Sequence, residues 1–276
     1  MKKICLTIIL VGLFLLAGCA NDQYSVEQQY WYTKKSAEKV FKNPAGSPPA
    51  EMEKAVAGFK KFINRYPKNI LALDADFKIA SLYLVKQEFE KARQHLDSMM
   101  GRYNNNPEIN SQVLFMKGSS YQMENKWPSA LEQYKKIIAD FPLTKRGLET
   151  PIFIAQYYKN KFEPEKMRAA FDEAIAHYTG LAAKYPDSVA AFKSYTFISS
   201  CYSAMKNWPQ AVKTLDAMVE KYTGKLKMDA VLMDIALIYK RELKDDAKAK
   251  EVLARLIKEY PKSKFASAAK SFLEKP

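Results

Sequence analysis

Six times along this chain an alanine is followed eleven residues later by an aromatic residue: Ala55 and Tyr66, Ala92 and Tyr103, Ala130 and Phe141, Ala174 and Tyr185, Ala211 and Tyr222, Ala249 and Tyr260. The aromatics lie 37, 38, 44, 37 and 38 residues apart, which is the period of a stacked repeat rather than of a single core. Four of them stand directly before proline, at Pro67, Pro142, Pro186 and Pro261. Large apolar residues fall four and seven positions after each alanine, as in Phe59 and Phe62, Tyr134 and Ile137, or Leu253 and Leu256. Steps of 4, 3 and 4 hold one stripe on one face of an α-helix. The proline ends that helix, since it has no N–H and disfavours helical geometry in the residue before it.

A second helix is expected before most of these. Its mark is a tyrosine with a small residue three positions earlier: Ala80 and Tyr83, Gly118 and Tyr121, Ala155 and Tyr158, Ser199 and Tyr202, Ala236 and Tyr239. From tyrosine to the next alanine is nine residues in three units, ten in the last and sixteen in the fourth. Small residues at fixed places let paired antiparallel helices approach closely, and the aromatic fills the space beside them.

In this order and at these separations the small residue, tyrosine, alanine, aromatic and proline (Gly118, Tyr121, Ala130, Tyr134 and Pro142 in the third unit) resemble a tetratricopeptide repeat array over about residues 50 to 262. The resemblance implies an all-α superhelical solenoid of about six helix pairs, with Phe265, Ala269, Phe272 and Leu273 on a C-terminal capping helix. One departure is consistent. Where the family has a small residue seven after the alanine, this chain has Met99, Ile137, Leu181, Met218 or Leu256. The fourth unit holds seven extra residues between Tyr158 and Ala174, about two helical turns, and Pro164 is expected to restart a long helix running to about Lys184.

The ends carry separate information. Lys2 and Lys3 precede fifteen mostly apolar residues from Ile4 to Gly18, too few for a bilayer-spanning helix of about 20. That run closes in Leu16-Ala17-Gly18-Cys19, which resembles the bacterial lipobox, so residues 1–18 read as a lipoprotein signal peptide and 19–24 as a lipidated tether ahead of the repeats in 25–276. The match implies cleavage before Cys19 and acylation there, and two or more acyl chains anchor stably. A plain secretory signal with an incidental Cys19 is the alternative. In Gram-negative lipoproteins an aspartate directly after the cysteine favours the inner membrane; here Ala20 follows, which favours the outer membrane at its periplasmic face.

With Cys5 removed and Cys19 acylated, Cys201 remains alone, so the mature chain has no intramolecular disulfide. The formal charge of +14 is spread over many helices and reads as a solvated surface, and nucleic acid is not an expected partner. Signals for catalysis are thin. The two histidines, His95 and His177, have no metal-ligand spacing, no glycine-rich phosphate loop is present, and no Glu-Ser pair of the lytic transglycosylase kind occurs. No enzyme, cofactor or metal is expected.

What remains is binding. In the repeat family the first helix of each pair lines a concave groove. Spacing from the tyrosines places Phe77 and Ser81, Phe115 and Ser119, Gln156 and Lys159, Lys193 and Ser200, and Met233 and Lys240 on that face. Phe77 and Phe115 suit an apolar side chain of an extended partner, or else they pack between repeats.

Lipobox and repeats together resemble the BamD (YfiO/ComL) lipoproteins of the outer-membrane β-barrel assembly machinery, although that family has five units rather than six. Segments such as Phe62-Ile63-Asn64-Arg65-Tyr66-Pro67 also look like that group's helix ends. The resemblance implies a scaffold whose partners are proteins, namely unfolded outer-membrane proteins and barrel-assembly subunits, and the membrane through lipid on Cys19. The alternative is a cell-wall or envelope-integrity scaffold of the Tol-Pal or peptidoglycan-coordinating kind.

Overall fold

A computed structural model describes residues 23–273, so Cys19 and the signal segment lie outside the described residues. The described residues form thirteen α-helices and no strand. The chain divides into two compact units, with the division between Gln133 and Tyr134 inside the sixth helix.

The first unit contains α1 (residues 23–42), α2 (Pro49–Arg65), α3 (Ile70–Val85), α4 (Phe89–Arg102) and α5 (Pro107–Met123). Helix α6 (Trp127–Asp140) carries the dividing point. The second unit continues through α7 (Lys145–Asn160), α8 (Pro164–Lys184), α9 (Val189–Ala204), α10 (Trp208–Tyr222), α11 (Asp229–Ile238), α12 (Asp246–Glu259) and α13 (Lys264–Leu273). Within each unit successive helices pack on one another, the sequential pairing that the repeat implies. Helix α8 begins at Pro164 and ends at Lys184, as the extra residues of the fourth unit suggest. Helix α13 covers α12 and α11, with Ala266 and Ala269 joining their core.

The marker residues lie where the packing needs them. All six alanines are buried, five of them completely. Phe62, Met99, Ile137, Leu181, Met218 and Leu256, which replace the family's small residue, are buried too, and each gains about 1.5–3 kcal/mol from leaving water. In the first unit Val26, Tyr30, Ala37 and Val40 of α1 share a core with Phe59 and Phe62 of α2 and Ile79 of α3. In the second, Leu215 and Met218 of α10 meet Leu232 and Ile235 of α11 and Leu253 and Leu256 of α12.

The turns are as regular as the helices. Three residues after five of the six closing aromatics, Tyr222 being the exception, comes a side chain that starts the next helix: Asn69, Asn106, Thr144, Ser188 or Ser263. Its backbone N–H donates to the aromatic's carbonyl at 2.9–3.2 Å. Its oxygen then accepts from an N–H of the first turn, for example Gly147 on Thr144 at 3.0 Å and Ala191 on Ser188 at 3.1 Å, which satisfies a donor the helix leaves unpaired.

Within the four middle pairs the turn is a left-handed cap. Gln87, Asn125, Phe162 and Lys206 have φ between 57° and 60°, each four residues after the pair's tyrosine. The next residue donates back to that tyrosine's carbonyl at 2.8–3.1 Å, a Schellman closure. The last pair differs. Its one extra residue is taken up by a π-helical turn, Tyr239–Leu243, and the left-handed residue becomes Lys244, five after the tyrosine. Asp245 then donates from its N–H to the Tyr239 carbonyl at 2.9 Å, and its side chain caps α12 by accepting from Lys248 N–H at 3.0 Å.

Candidate protein-binding groove

In the first unit the groove side chains selected by spacing lie along α3 and α5. Phe77 and Phe115 are half-buried. Phe77 rests on the core made by Ala80, Leu96, Met99 and Val113, so part of its ring is used between helix pairs. The hydroxyls of Ser81 and Ser119 donate to the carbonyls of Phe77 and Phe115 in their own helices, at 2.8 and 2.9 Å. Bonded in this way they offer an incoming group acceptor lone pairs rather than protons. On the same helix Asp74 accepts from the Tyr30 hydroxyl of α1.

Directly beneath α3 lies an ionic cluster that spacing did not reveal. Asp76 is fully buried, with Arg102 Nη2 at 2.5 Å, Tyr103 Oη at 3.0 Å and His95 Nε2 at 3.1 Å. Burial alone would raise its carboxyl, but the hydrogen bonds from His95 and Arg102 and the Arg102 charge outweigh burial and hold it below the ordinary value of 3.8. Arg93 makes the neighbouring link from α4 to α5. It pairs with Glu124, reaches Ser120 at 3.2 Å and lies 4.4 Å from the centre of the Tyr121 ring.

In the second unit Gln156, Lys159 and Lys193 are exposed. Lys159 spans to the next pair, its ammonium 3.2 Å from the carbonyl of Ala204 at the end of α9. Lys240 lies 2.8 Å from a carboxylate oxygen of Asp246 and 5.6 Å from the Phe272 ring of α13. Met233 is half-buried against the core.

Between α9 and α11 opens a cleft of about 440 Å³. Thr196, Ser200 and Ser203 of α9 line one wall, Asp234 and Leu237 of α11 the other, and Trp208 and Leu215 of α10 its base. The π-turn brings Arg241 and Glu242 to the mouth. Burial pushes the carboxyl of Asp234 above its ordinary value. Only Ser200 among these was a groove candidate by sequence. A signal was present, since Thr196 and Leu237 stand six and two residues before their tyrosines, as Phe77 and Ser81 do. Trp208 and Asp234 carried none, because a tryptophan before proline reads as a turn and an aspartate on a helix reads as solvated.

His177, the second histidine, borders a separate cleft of about 360 Å³ with Lys135, Pro151 and Glu173. Its Nε2 is buried without a partner, and burial lowers its pKa, so the ring is neutral at pH 7. Among the described residues no group of three or more His, Cys, Asp or Glu is placed to hold a metal ion, and no helix is long and apolar enough to cross a membrane.

The family model described as Tetratricopeptide repeat matches residues 112–144 and 230–263, each one helix pair followed by the cap residue Thr144 or Ser263. No curated protein sequence matches the chain. Among solved structures, BtubC from P. vanneervenii is similar at 16% identity over 76% of this chain and 88% of its own, with a TM-score of 0.43. A tetratricopeptide repeat protein from Parabacteroides merdae has 14% identity over 84% of this chain and 80% of its own, TM-score 0.38. The TPR2AB-domain:pHSP90 complex of yeast Sti1 gives 14%, 89% of this chain and 96% of that one, TM-score 0.34.

Proposed function

We propose that this tetratricopeptide repeat protein is a scaffold that binds other proteins, held at the periplasmic face of the outer membrane by lipid on Cys19. In this reading it receives unfolded outer-membrane proteins and docks subunits of the barrel-assembly machinery. The observation that carries the binding role is the open α9–α11 cleft, where hydroxyls, a carboxylate and an indole face solvent instead of closing a core. Groups left unfilled in a concave, partly apolar site are what a partner's side chains complete. The lipobox-like Leu16-Ala17-Gly18-Cys19 supports the tether, and its pairing with the repeats supports the assembly role.

Affinity purification of the tagged full chain from detergent-solubilised envelopes tests this. Barrel-assembly subunits are expected among the recovered proteins. Recovery of wall synthases without any such subunit would replace the assembly role by a cell-wall one, and recovery of no protein would end the scaffold reading. Cys19→Ala is expected to move the protein from the membrane to the soluble fraction.

A further inference from the structure

The α9–α11 cleft differs in charge character from the chain that contains it. The chain is strongly basic, and many of its acidic side chains are paired with a lysine or arginine, as Asp76, Glu124 and Asp246 are. Asp234 is not. Among the described residues it has no hydrogen-bond or ion-pair partner; it lines the cleft with its carboxylate exposed, and the helices around it shift its pKa upward. A carboxylate that faces a cleft with no donor of its own is open to a cation, and a charge-assisted hydrogen bond is the stronger kind.

Two hydroxyls of the α9 wall have the same bias. Ser200 donates its proton to the Thr196 carbonyl at 2.9 Å, and Ser199 donates to the Ala211 carbonyl at 3.2 Å. Both hydroxyls therefore have only lone pairs left to offer. Trp208 adds an indole ring, the best aromatic surface for a cation, and Leu215 and Leu237 add apolar area. At the mouth Arg241 and Glu242 are adjacent and opposite in sign, so Asp234 is the uncompensated charge. A guanidinium has five N–H donors, no acceptor and a flat face that stacks on aromatic rings, and so complements each of these features.

We infer that the α9–α11 cleft docks an arginine-bearing segment of a partner protein, with Asp234 as counter-ion and Trp208 as the stacking surface. This rests on the scaffold reading and adds the chemistry of what is bound. A segment alternating apolar and polar residues would set its apolar side chains on Leu215 and Leu237 and its arginine against Asp234.

The test uses the full chain in detergent micelles and three fluorescein-labelled nonapeptides of alternating leucine and serine, with arginine, glutamine or glutamate at the centre. Fluorescence anisotropy is expected to show the arginine peptide binding about tenfold to a hundredfold more tightly than the glutamine peptide, the range for a hydrogen bond to a charged group. Asp234→Asn should remove that preference, and Asp234→Arg should transfer it to the glutamate peptide, an exchange that simple destabilisation cannot mimic. Equal binding of the three peptides would overturn the inference, as would a preference that survives Asp234→Asn. If no peptide binds while envelope proteins still co-purify with the chain, this inference fails alone. If nothing co-purifies either, the scaffold reading fails with it.

Discussion

The hydroxyl of Tyr178 on α8 donates to the backbone carbonyl of Leu148 on α7 at 2.6 Å. That carbonyl is the helical acceptor for Ile152 N–H, four residues on, and Ile152 N–H donates to the Tyr178 oxygen at 3.3 Å. The hydroxyl thus stands inside the hydrogen-bond ladder of its neighbour. Pro151 lies at this point in the interior of α7 and has no N–H to give. The opening a proline makes in a helix is closed by a side chain from the next one, and the same ring stacks on Phe197 of α9 at 5.0 Å.

Tyr178→Phe keeps the ring and its stacking but removes the hydroxyl's two buried bonds, to the Leu148 carbonyl and from Ile152 N–H. Urea denaturation should show a loss of about 1–3 kcal/mol. An unchanged midpoint would mean that α7 can close its ladder without the hydroxyl.

Gly147→Ala should be severe at a buried position that looks ordinary in sequence. A Cβ there would lie 1.9 Å from the carbonyl oxygen of Phe141, a backbone atom fixed by its bonds from Thr144. Overpacking against backbone is expected to cost about 1–3 kcal/mol or more. Thermal unfolding of the variant beside Gly101→Ala, where nothing lies within 4 Å, separates the contact from any general effect of alanine.

Asp76 gives an acid-sensitive contribution. Its folded pKa is lowered, so its stabilisation is complete above the ordinary value of 3.8 and is lost as pH falls below it through the lowered one. Asp76→Asn should cost about 1.5–3 kcal/mol at neutral pH, since Arg102 is partly exposed and can find water. The gap between variant and parent should narrow when urea midpoints are compared at about pH 7 and about pH 3. A constant gap would sink the ionic account of the cluster.

Cys201 should be silent toward thiol reagents in the folded protein. It is completely buried and its pKa is pushed up to about 12 by burial, so little thiolate exists at about pH 8. In a protein carrying Cys5→Ser and Cys19→Ser, labelling should follow unfolding as urea is added. Rapid labelling without urea would show that α9 opens locally.

Phe162 is a residue at which a substitution should stabilise. It is 91% exposed and left-handed at φ 57°, a geometry that costs non-glycine residues about 1 kcal/mol. Phe162→Gly is expected to raise stability by about 1 kcal/mol in chemical denaturation. A loss would mean that the ring makes a contact worth more than the strain.

The helices were legible in the sequence because their determinants are local. Alanine, aromatic and proline recur at fixed spacing, and a stripe four, three and four residues apart has one interpretation. The Asp76 cluster was hidden because its partners lie 26 and 27 residues away and its own position resembles any polar residue on a helix. The groove was partly legible. Position relative to the tyrosine selected Ser200, whereas the roles of Asp234 and Trp208 depend on which helices face each other. The one extra residue between Tyr239 and Ala249 was visible as a count but not as a shape, since the choice of π over α geometry rests on how Asp245 is bonded.

That count has a further meaning. Adding one residue inside a helix rotates everything after it by about 100°, which would turn a buried stripe toward water. Here the phase error ends within Tyr239–Leu243, because Lys244 turns the chain and Asp245 starts α12 afresh, leaving Ala249, Leu253 and Leu256 buried. Each turn works like an expansion joint. Length can change there, and the wall of a cleft can be redrawn, while the packed layer below keeps its alignment.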